Sequence, residues 1–100
     1  MEVSADKLRL AVERAFGLPA VLARVETVTE AFEGRIAWDG VVYVFDVAGH
    51  REAHSAYAWT SPIEGSTKRR FYAVLGKPPI NSAADAVRAA IVAEHKGGSR

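Results

Sequence analysis

The stretch GRIAWDGVVYVFDVAG, residues 34–49, decides the fold class of this 100-residue chain. Most of its apolar side chains are β-branched or aromatic, and such residues favour strands. Asp39-Gly40 suits a tight hairpin turn between Ile36–Trp38 and Val41–Val47. The same dipeptide also suits a bulge in one long strand that pairs back across Glu33-Gly34. Both alternatives make this region β, and the sequence leaves the choice between them open.

The strand Val41–Val47 is apolar on both faces, because successive strand residues point to opposite sides. One face carries four large apolar side chains: Val41, Tyr43, Phe45 and Val47. The other face carries Val42 and Val44 beside Asp46, and it is too apolar to be left simply in contact with water. The strand therefore needs cover on both sides.

The segment before this stretch, Ala20–Phe32, allows two interpretations. Its apolar residues recur at a helical period, whereas the run of Val and Thr between Val25 and Thr29 favours a strand. We predict a strand from about Arg24 to Phe32 and keep the helix as the alternative.

A helix is predicted over Val3–Phe16. Ser4 can cap its first turn, and Gly17 can end it in the left-handed conformation. Val3 and Leu8 have the spacing of a hydrophobic staple.

A second helix is predicted after GKPPI, residues 76–80, where two adjacent prolines end the strands. Asn81 or Ser82 can cap it, and Ser82 and Asp85 have the spacing of a capping box. His95, Lys96 and Gly97 close this helix, so we expect an ordered core over about residues 3–96 and a frayed tail over 97–100.

Further strands are predicted over Ala53–Thr60 and Lys68–Leu75. The chain is therefore expected to form a single domain, residues 1–100, of the α+β class. Its expected architecture is an N-terminal helix, a three- to four-stranded antiparallel meander and a C-terminal helix, with both helices on one sheet face.

Two helices on one face would leave the other face uncovered, and that face would then favour a partner. The candidate interaction face comprises apolar and aromatic strand residues, since Tyr and Trp are enriched in binding hot spots: Trp38, Val42, Val44, Tyr57, Trp59 and Tyr72. We expect a non-catalytic interaction module that forms a homodimer or binds another protein.

The chain has a formal net charge of +1 and no cysteine. Near-neutral charge provides no global attraction to nucleic acid or to a membrane surface. The lack of cysteine excludes disulfides and thiolate metal sites and favours a reducing cytoplasm. The charged N-terminus predicts neither a signal peptide nor a membrane anchor. No cofactor is expected.

The stretch TSPIEGSTKRRFYAVL, residues 60–75, suggests an alternative function, which is nucleic-acid or polyanion binding. The candidate cations are Arg51, Lys68, Arg69 and Arg70. In a strand, however, Lys68 and Arg70 face away from Arg69, which predicts few phosphate contacts. Pairing with Glu64 across the loop is a simpler role for Arg69 or Arg70. GSTK has one glycine, and it leads into a strand, so it is not a phosphate-binding P-loop.

The order of helix, strands and helix is similar in outline to the double-stranded RNA-binding domain. That family carries a Gly-Pro-x-His loop and a lysine-rich start to its last helix. Here the last helix begins NSAADAVRAA, residues 81–90, with an acid and no lysine. The resemblance therefore covers the order of elements and none of the basic anchor.

Catalysis and metal binding are not expected. Asp46, His50 and His54 recur every fourth residue, but Gly49 and the surrounding strands exclude the helix that would bring them together. No nucleophile-elbow sequence surrounds a serine. A small-ligand carrier or small enzyme with a pocket between sheet and helices remains a further alternative.

Overall fold

The computed structural model describes residues 4–63 and 65–98. Its elements are α1 (Ala5–Phe16), β1 (Ala20–Phe32), β2 (Arg35–Val47), β3 (Ser55–Pro62), β4 (Arg69–Leu75) and α2 (Ala83–Gly98). The strands pair antiparallel in one open sheet with the order β1-β2-β3-β4. The predicted α+β class, the order of elements and the antiparallel meander are confirmed.

The first two strands form a long hairpin, which we call the β1–β2 ribbon. Its turn lies at Glu33 and Gly34, whose φ angles are 53° and 80°. Asp39-Gly40 therefore lies inside β2, as the long-strand alternative predicted. The bulge of β2 lies nearby at Ala37, the extra residue where the pairing shifts after Glu30.

Gly40 leaves room for the indole of Trp38, which packs over it. A Cβ atom built on Gly40 would come within 2.8 Å of the Trp38 ring. A larger residue at position 40 would therefore displace the ring from the sheet.

The strand predicted over Arg24–Phe32 is present, and it begins four residues earlier than predicted, at Ala20. Its pairing with β2 shifts between Leu22 and Arg24, which leaves Ala23 as a bulge. An extra residue interrupts the alternation of sides, so the apolar spacing along this strand imitates a helical period.

The predicted helix caps are present. The Ser4 hydroxyl accepts a hydrogen bond from the Lys7 backbone N–H at 3.3 Å, and Gly17 ends α1 with φ 66°. At α2, the Ser82 hydroxyl accepts a hydrogen bond from the Asp85 N–H at 3.1 Å. The proposed staple residue, Val3, lies outside the described residues.

The second helix extends beyond its predicted end. It runs to Gly98, so Gly97 and Gly98 of the predicted tail belong to α2. Residues 99–100 lie outside the described residues.

The two helices lie on opposite faces of the sheet. Val42 and Val44 of β2 are buried in the cluster that contains α2, whereas Phe45 and Val47 are buried in the cluster that contains α1. Successive residues of a strand point to opposite sides, so each helix covers its own face. The prediction that both helices share one sheet face is therefore wrong.

Side-chain size explains how each face is filled. On the α1 face, large helix residues pack on small strand residues: Leu8 and Val12 on Ala56 and Ala58. On the α2 face the sizes are reversed: Ala83 and Ala86 pack on Tyr57 and Trp59. Pairing large with small side chains lets both layers reach the density of a protein interior.

The ladder at the centre of the sheet, between β2 and β3, is the shortest of the three. β1 and β2 share twelve residue pairs and β3 and β4 share seven, but β2 and β3 share only the four between Tyr43–Asp46 and Ser55–Ala58. The β1–β2 ribbon and the β3–β4 hairpin are therefore joined by a short ladder, and side-chain packing must supply the rest of their contact.

Candidate functional site

The predicted interaction face lies under α2. Its six residues all belong to the α2 side of the sheet: Trp38, Val42, Val44, Tyr57, Trp59 and Tyr72. Val42 and Val44 have no exposed surface, and Trp59 is 2% exposed. The expectation that this side of the sheet lacks a covering helix is wrong, because α2 packs directly on it.

Three of these residues form what we call the aromatic row, with one ring from each of β2, β3 and β4: Trp38, Trp59 and Tyr72. The Trp59 and Tyr72 rings stack with centroids 5.2 Å apart and planes 5° apart. Trp38 is tilted by 56° to Trp59 at 6.0 Å. Both arrangements are favourable for aromatic pairs, so the row fastens the ribbon to the β3–β4 hairpin beyond their short ladder.

Polar contacts tie the outer end of the aromatic row to α2. The Tyr72 hydroxyl donates a hydrogen bond to the Glu94 carboxylate, and the Arg70 guanidinium lies 4.0 Å from the same carboxylate. Burial raises the pKa of Tyr72, and the hydrogen bond to Glu94 raises it further. The phenol therefore remains a proton donor well into the alkaline range.

A narrow cleft opens beside the aromatic row, with Ser61 and Glu94 at its polar end. Its volume is about 100 Å³. Pockets for drug-sized ligands have volumes of about 300–1,000 Å³. The cleft is therefore too small for such a ligand, and its carboxylate is already bound to Tyr72.

A wider groove of about 550 Å³ crosses the outer face of α2, between Pro79 and Val92. Its charged groups, Asp85 and Arg88, lie 3.8 Å apart, and Arg88 also binds Glu30 of β1. These groups are already paired with each other or with the sheet.

The uncovered part of the sheet lies on the other face, beside α1. This helix packs on β3, β4 and the start of β1, and it leaves the middle of the ribbon open. Four apolar residues of the ribbon point to the α1 side there, and we call them the ribbon patch: Leu22, Val25, Val41 and Tyr43. Leu22 is 40% exposed, Val25 49% and Val41 43%. Tyr43 is half-buried at the boundary with α1.

Exposed apolar side chains are concentrated on the ribbon as a whole. Of the nine large exposed ones in the described part of the chain, five belong to it: Val21, Leu22, Val25, Ile36 and Val41. Val21 points to the α2 side and Ile36 lies near the turn, whereas Leu22, Val25 and Val41 are neighbours on the α1 side. Single exposed apolar residues are ordinary, but a contiguous group such as these three is typical of an interaction surface.

The ribbon patch adjoins an open edge of the sheet. β1 is an outer strand, so one side of its backbone has no neighbouring strand. Across residues 4–63 and 65–98, no hydrogen bond from another segment reaches the outer backbone groups of residues 21–31. Unpaired strand edges favour pairing with another chain.

Opposite charges stand beside Val25 on this edge. The side chains of Arg24 and Glu26 point to the α2 side of β1 and hydrogen-bond to each other. That bond raises the pKa of Arg24 above its usual value. Exposed pairs of this kind contribute little to folding, so the pair leaves both charges available to a partner.

The predicted polyanion-binding cations do not gather in one place. Arg51 lies before β3 and Lys68 lies beyond its other end, so the eight residues of β3 separate them. That length corresponds to about 26 Å. Arg69 donates a hydrogen bond from Nε to the Thr60 hydroxyl at 2.7 Å, and Arg70 lies beside Glu94. Glu64, the predicted partner of these arginines, lies outside the described residues.

The histidine region forms a turn. The His50 Nδ1 atom accepts hydrogen bonds from the backbone N–H groups of Glu52 and Ala53, both at 3.0 Å. Among the described side chains, no group of three or more His, Cys, Asp or Glu residues is placed to hold a metal ion. His50 therefore organises the loop between β2 and β3.

Comparisons with protein-family models, curated proteins and solved structures found no match. Neither helix, over its described residues, is long and apolar enough to cross a membrane. The chemistry and placement of its own residues are therefore what indicate a function for this chain.

The ribbon patch escaped the sequence-based prediction for two reasons. Val41 and Tyr43 were assigned to a face that helices were expected to cover, and Val25 lay in a segment of uncertain structure. The available signal was the concentration of β-branched residues in Val25–Val28, which exceeds what one buried side of an outer strand needs.

Proposed function

We propose that this chain is a non-catalytic interaction module that self-associates through the ribbon patch and the adjoining edge of β1. The observation that carries the proposal is that three exposed apolar side chains lie beside an unpaired strand edge. Apolar surface and free strand edges each favour association, and here one partner could cover both.

A second copy of the chain is the partner that best fits this surface. Arg24 and Glu26 flank Val25, so the edge presents opposite charges that an antiparallel copy of itself would complement. Closed dimers with two-fold symmetry are the commonest oligomers, and they need only one self-complementary surface. A net charge of +1 opposes such pairing only weakly.

The absence of a catalytic role is part of the proposal. The cleft beside the aromatic row is small, and its carboxylate is held by Tyr72. We place the module in the cytoplasm, because a chain without cysteine has no need of an oxidising compartment.

Sedimentation equilibrium over low to high micromolar concentrations tests self-association directly. The wild-type chain is expected to approach the mass of a dimer, and Val25→Asp is expected to raise the dissociation constant at least about tenfold. The substitution removes apolar contact from the ribbon patch and places a charge where the partner would bury it.

Phe71→Asp provides a matched control. Phe71 is 44% exposed and lies on β4, outside the ribbon, so the substitution introduces the same charge at similar exposure. It is expected to leave the dimer unchanged. A wild-type chain that stays monomeric at high micromolar concentration would discard the proposal, as would equal weakening by both variants.

A further inference from the structure

We infer that two copies of the chain pair antiparallel along β1, about a two-fold axis through Val25, so that Arg24 of each copy lies opposite Glu26 of the other. This inference rests on the proposed self-association and specifies its geometry. The partner is a second copy of this chain, joined edge to edge into one continuous sheet.

The sheet geometry limits the possible registers. Strands related by a two-fold axis normal to a sheet keep the same faces aligned, so opposed residues must share a side. The axis therefore passes through a residue rather than between two. The axis is placed within Arg24–Ala31, the regular part of β1 beyond the bulge at Ala23. Leu22 and Thr27 both point to the α1 side, so a ladder centred on Val25 can continue past the bulge with Leu22 opposite Thr27.

Charge selects among the remaining registers. An axis through Glu26 would oppose the two copies of Glu26, and an axis through Val28 would oppose Glu26 and Glu30. Like charges directly opposite each other destabilise a sheet. An axis through Val25 instead opposes Arg24 and Glu26 twice, and with the pairs inside each chain it forms a square of alternating charge.

Axes through Thr29 or Ala31 bring no opposite charges together. The other competitor is an axis through Thr27, which would oppose Arg24 and Glu30. Glu30, however, is 8% exposed and already binds Arg88 through both carboxylate oxygens, at 2.9 and 3.3 Å. Its charge is therefore not available to a partner. The register through Val25 uses charges that are exposed in the single chain.

The same register continues the ribbon patch across the interface. Val25 pairs with Tyr43 within the chain. An axis through Val25 therefore aligns Tyr43, Val25 and their two copies in one row on the α1 side. The Cβ atoms of directly opposed residues lie about 4.5–5.5 Å apart, so each Val25 gains an apolar neighbour on its open side.

Single cysteines test the register, because the chain has no cysteine of its own. Val25→Cys would place two thiols directly opposite each other, near the distance that a disulfide requires. Thr27→Cys is the matched control on the same side of the same strand. Its two copies would be offset by about 13 Å along the strands, beyond the reach of a disulfide.

Under mild oxidation, the covalent dimer of Val25→Cys is expected to form at least about tenfold faster than that of Thr27→Cys. Equal or faster cross-linking of Thr27→Cys would overturn the register. If wild-type sedimentation shows a dimer but neither variant cross-links, edge pairing is wrong while self-association stands. A monomeric wild-type chain would instead refute the proposed function itself.

Charge reversal provides a second measurement that needs no oxidation. Arg24→Glu is expected to weaken the dimer roughly tenfold or more, since it opposes like charges twice. Adding Glu26→Arg should restore the dissociation constant to within about threefold of wild type. Lack of rescue, with circular dichroism showing a folded chain, would contradict the register through Val25.

Discussion

The β1–β2 ribbon and the β3–β4 hairpin bury their residues very differently. In β3, four consecutive residues, Ala56–Trp59, are buried, and they contact both helices through alternate side chains. The ribbon has twelve backbone pairs, yet it exposes apolar side chains on the α1 side of the sheet, in the part that α1 itself does not cover. The centre of β3 is therefore buried on both faces, whereas the ribbon buries some side chains and presents apolar surface beside them. Its buried apolar residues are Ala20, Val28, Val42, Val44, Phe45 and Val47.

The outer strands of these two hairpins differ in the same sense. β4 has seven residues and begins with Arg69 and Arg70, and charges at an outer strand discourage pairing with other sheets. β1 has thirteen residues, and its charged residues have both signs: Arg24, Glu26 and Glu30. The β4 edge is short and begins with two like charges, whereas the β1 edge is long and carries opposite charges that a second copy can match.

The largest expected effect tests the unequal burial of the two tryptophans. Trp59→Ala should lower the free energy of unfolding by about 3–5 kcal/mol, because it removes a buried, stacked ring and leaves a cavity. Trp38→Ala should lower the free energy of unfolding distinctly less, because Trp38, which lies on the ribbon, is only half-buried. Urea titrations followed by circular dichroism measure both, and equal losses would show that the ribbon shares the core fully.

Substitutions at two glycines distinguish a clash with the backbone, at the end of the β3–β4 hairpin, from a clash with a side chain in the ribbon. A Cβ atom on Gly76 would lie 2.8 Å from the backbone oxygen of Ser55, whereas one on Gly40 would meet the Trp38 ring. Gly76→Ala should cost about 1–3 kcal/mol. Gly40→Ala should cost less, because a half-buried ring can move aside. The opposite order in thermal unfolding would mean that Trp38 is held rigidly.

The attachments of α2 to the two outer strands are also unequal. Glu30, whose side chain is 10% exposed, binds Arg88, whereas Glu94, at 51% exposure, binds Tyr72. Glu30→Ala should cost about 1–2 kcal/mol, because it removes a partly buried charged partner. Glu94→Ala should cost about 1 kcal/mol or less. A double-mutant cycle with Arg88→Ala checks that the first loss belongs to the pair.

The smallest expected effect concerns pH at the outer end of the aromatic row. Burial and the Glu94 hydrogen bond raise the pKa of Tyr72, so folding favours its neutral form. Its contribution is fully present below the unfolded pKa of about 10 and is lost as pH rises through the folded value. Wild type should therefore lose stability relative to Tyr72→Phe above that pH. A constant difference between their unfolding free energies would contradict this.

Local signals in the sequence were sufficient for the two helices, whereas they left the strand over residues 20–32 and the role of Asp39-Gly40 open. Ser4, Gly17 and Ser82 mark helix ends by chemistry that acts within a few residues, and all three are found in those roles. Local signals could not predict which face of the sheet each helix covers, because that depends on how the side chains of the helix and the sheet fit together. The alternation of alanine with aromatic residues in AYAWT, residues 56–60, was the relevant pattern.

The candidate site was harder to predict than the fold. The residue pattern of Val41–Val47 shows that this strand is apolar on both faces, but the uncovered side was expected at Val42 and Val44, which α2 covers. The bulge at Ala23 hid the alternation of β1, so Val25 could not be placed on a face. Bulges depend on pairing between strands, and no single-strand pattern determines them.

The aromatic row also provides an intrinsic fluorescence signal for the contact between the ribbon and the β3–β4 hairpin. Its two tryptophans are divided between the ribbon and the β3–β4 hairpin, and their rings meet where the backbone ladder has ended. If the ribbon swings away from the hairpin, one indole is released into water while its counterpart keeps Tyr72 as a neighbour. Intrinsic fluorescence can therefore distinguish detachment of the ribbon from global unfolding, without any added dye.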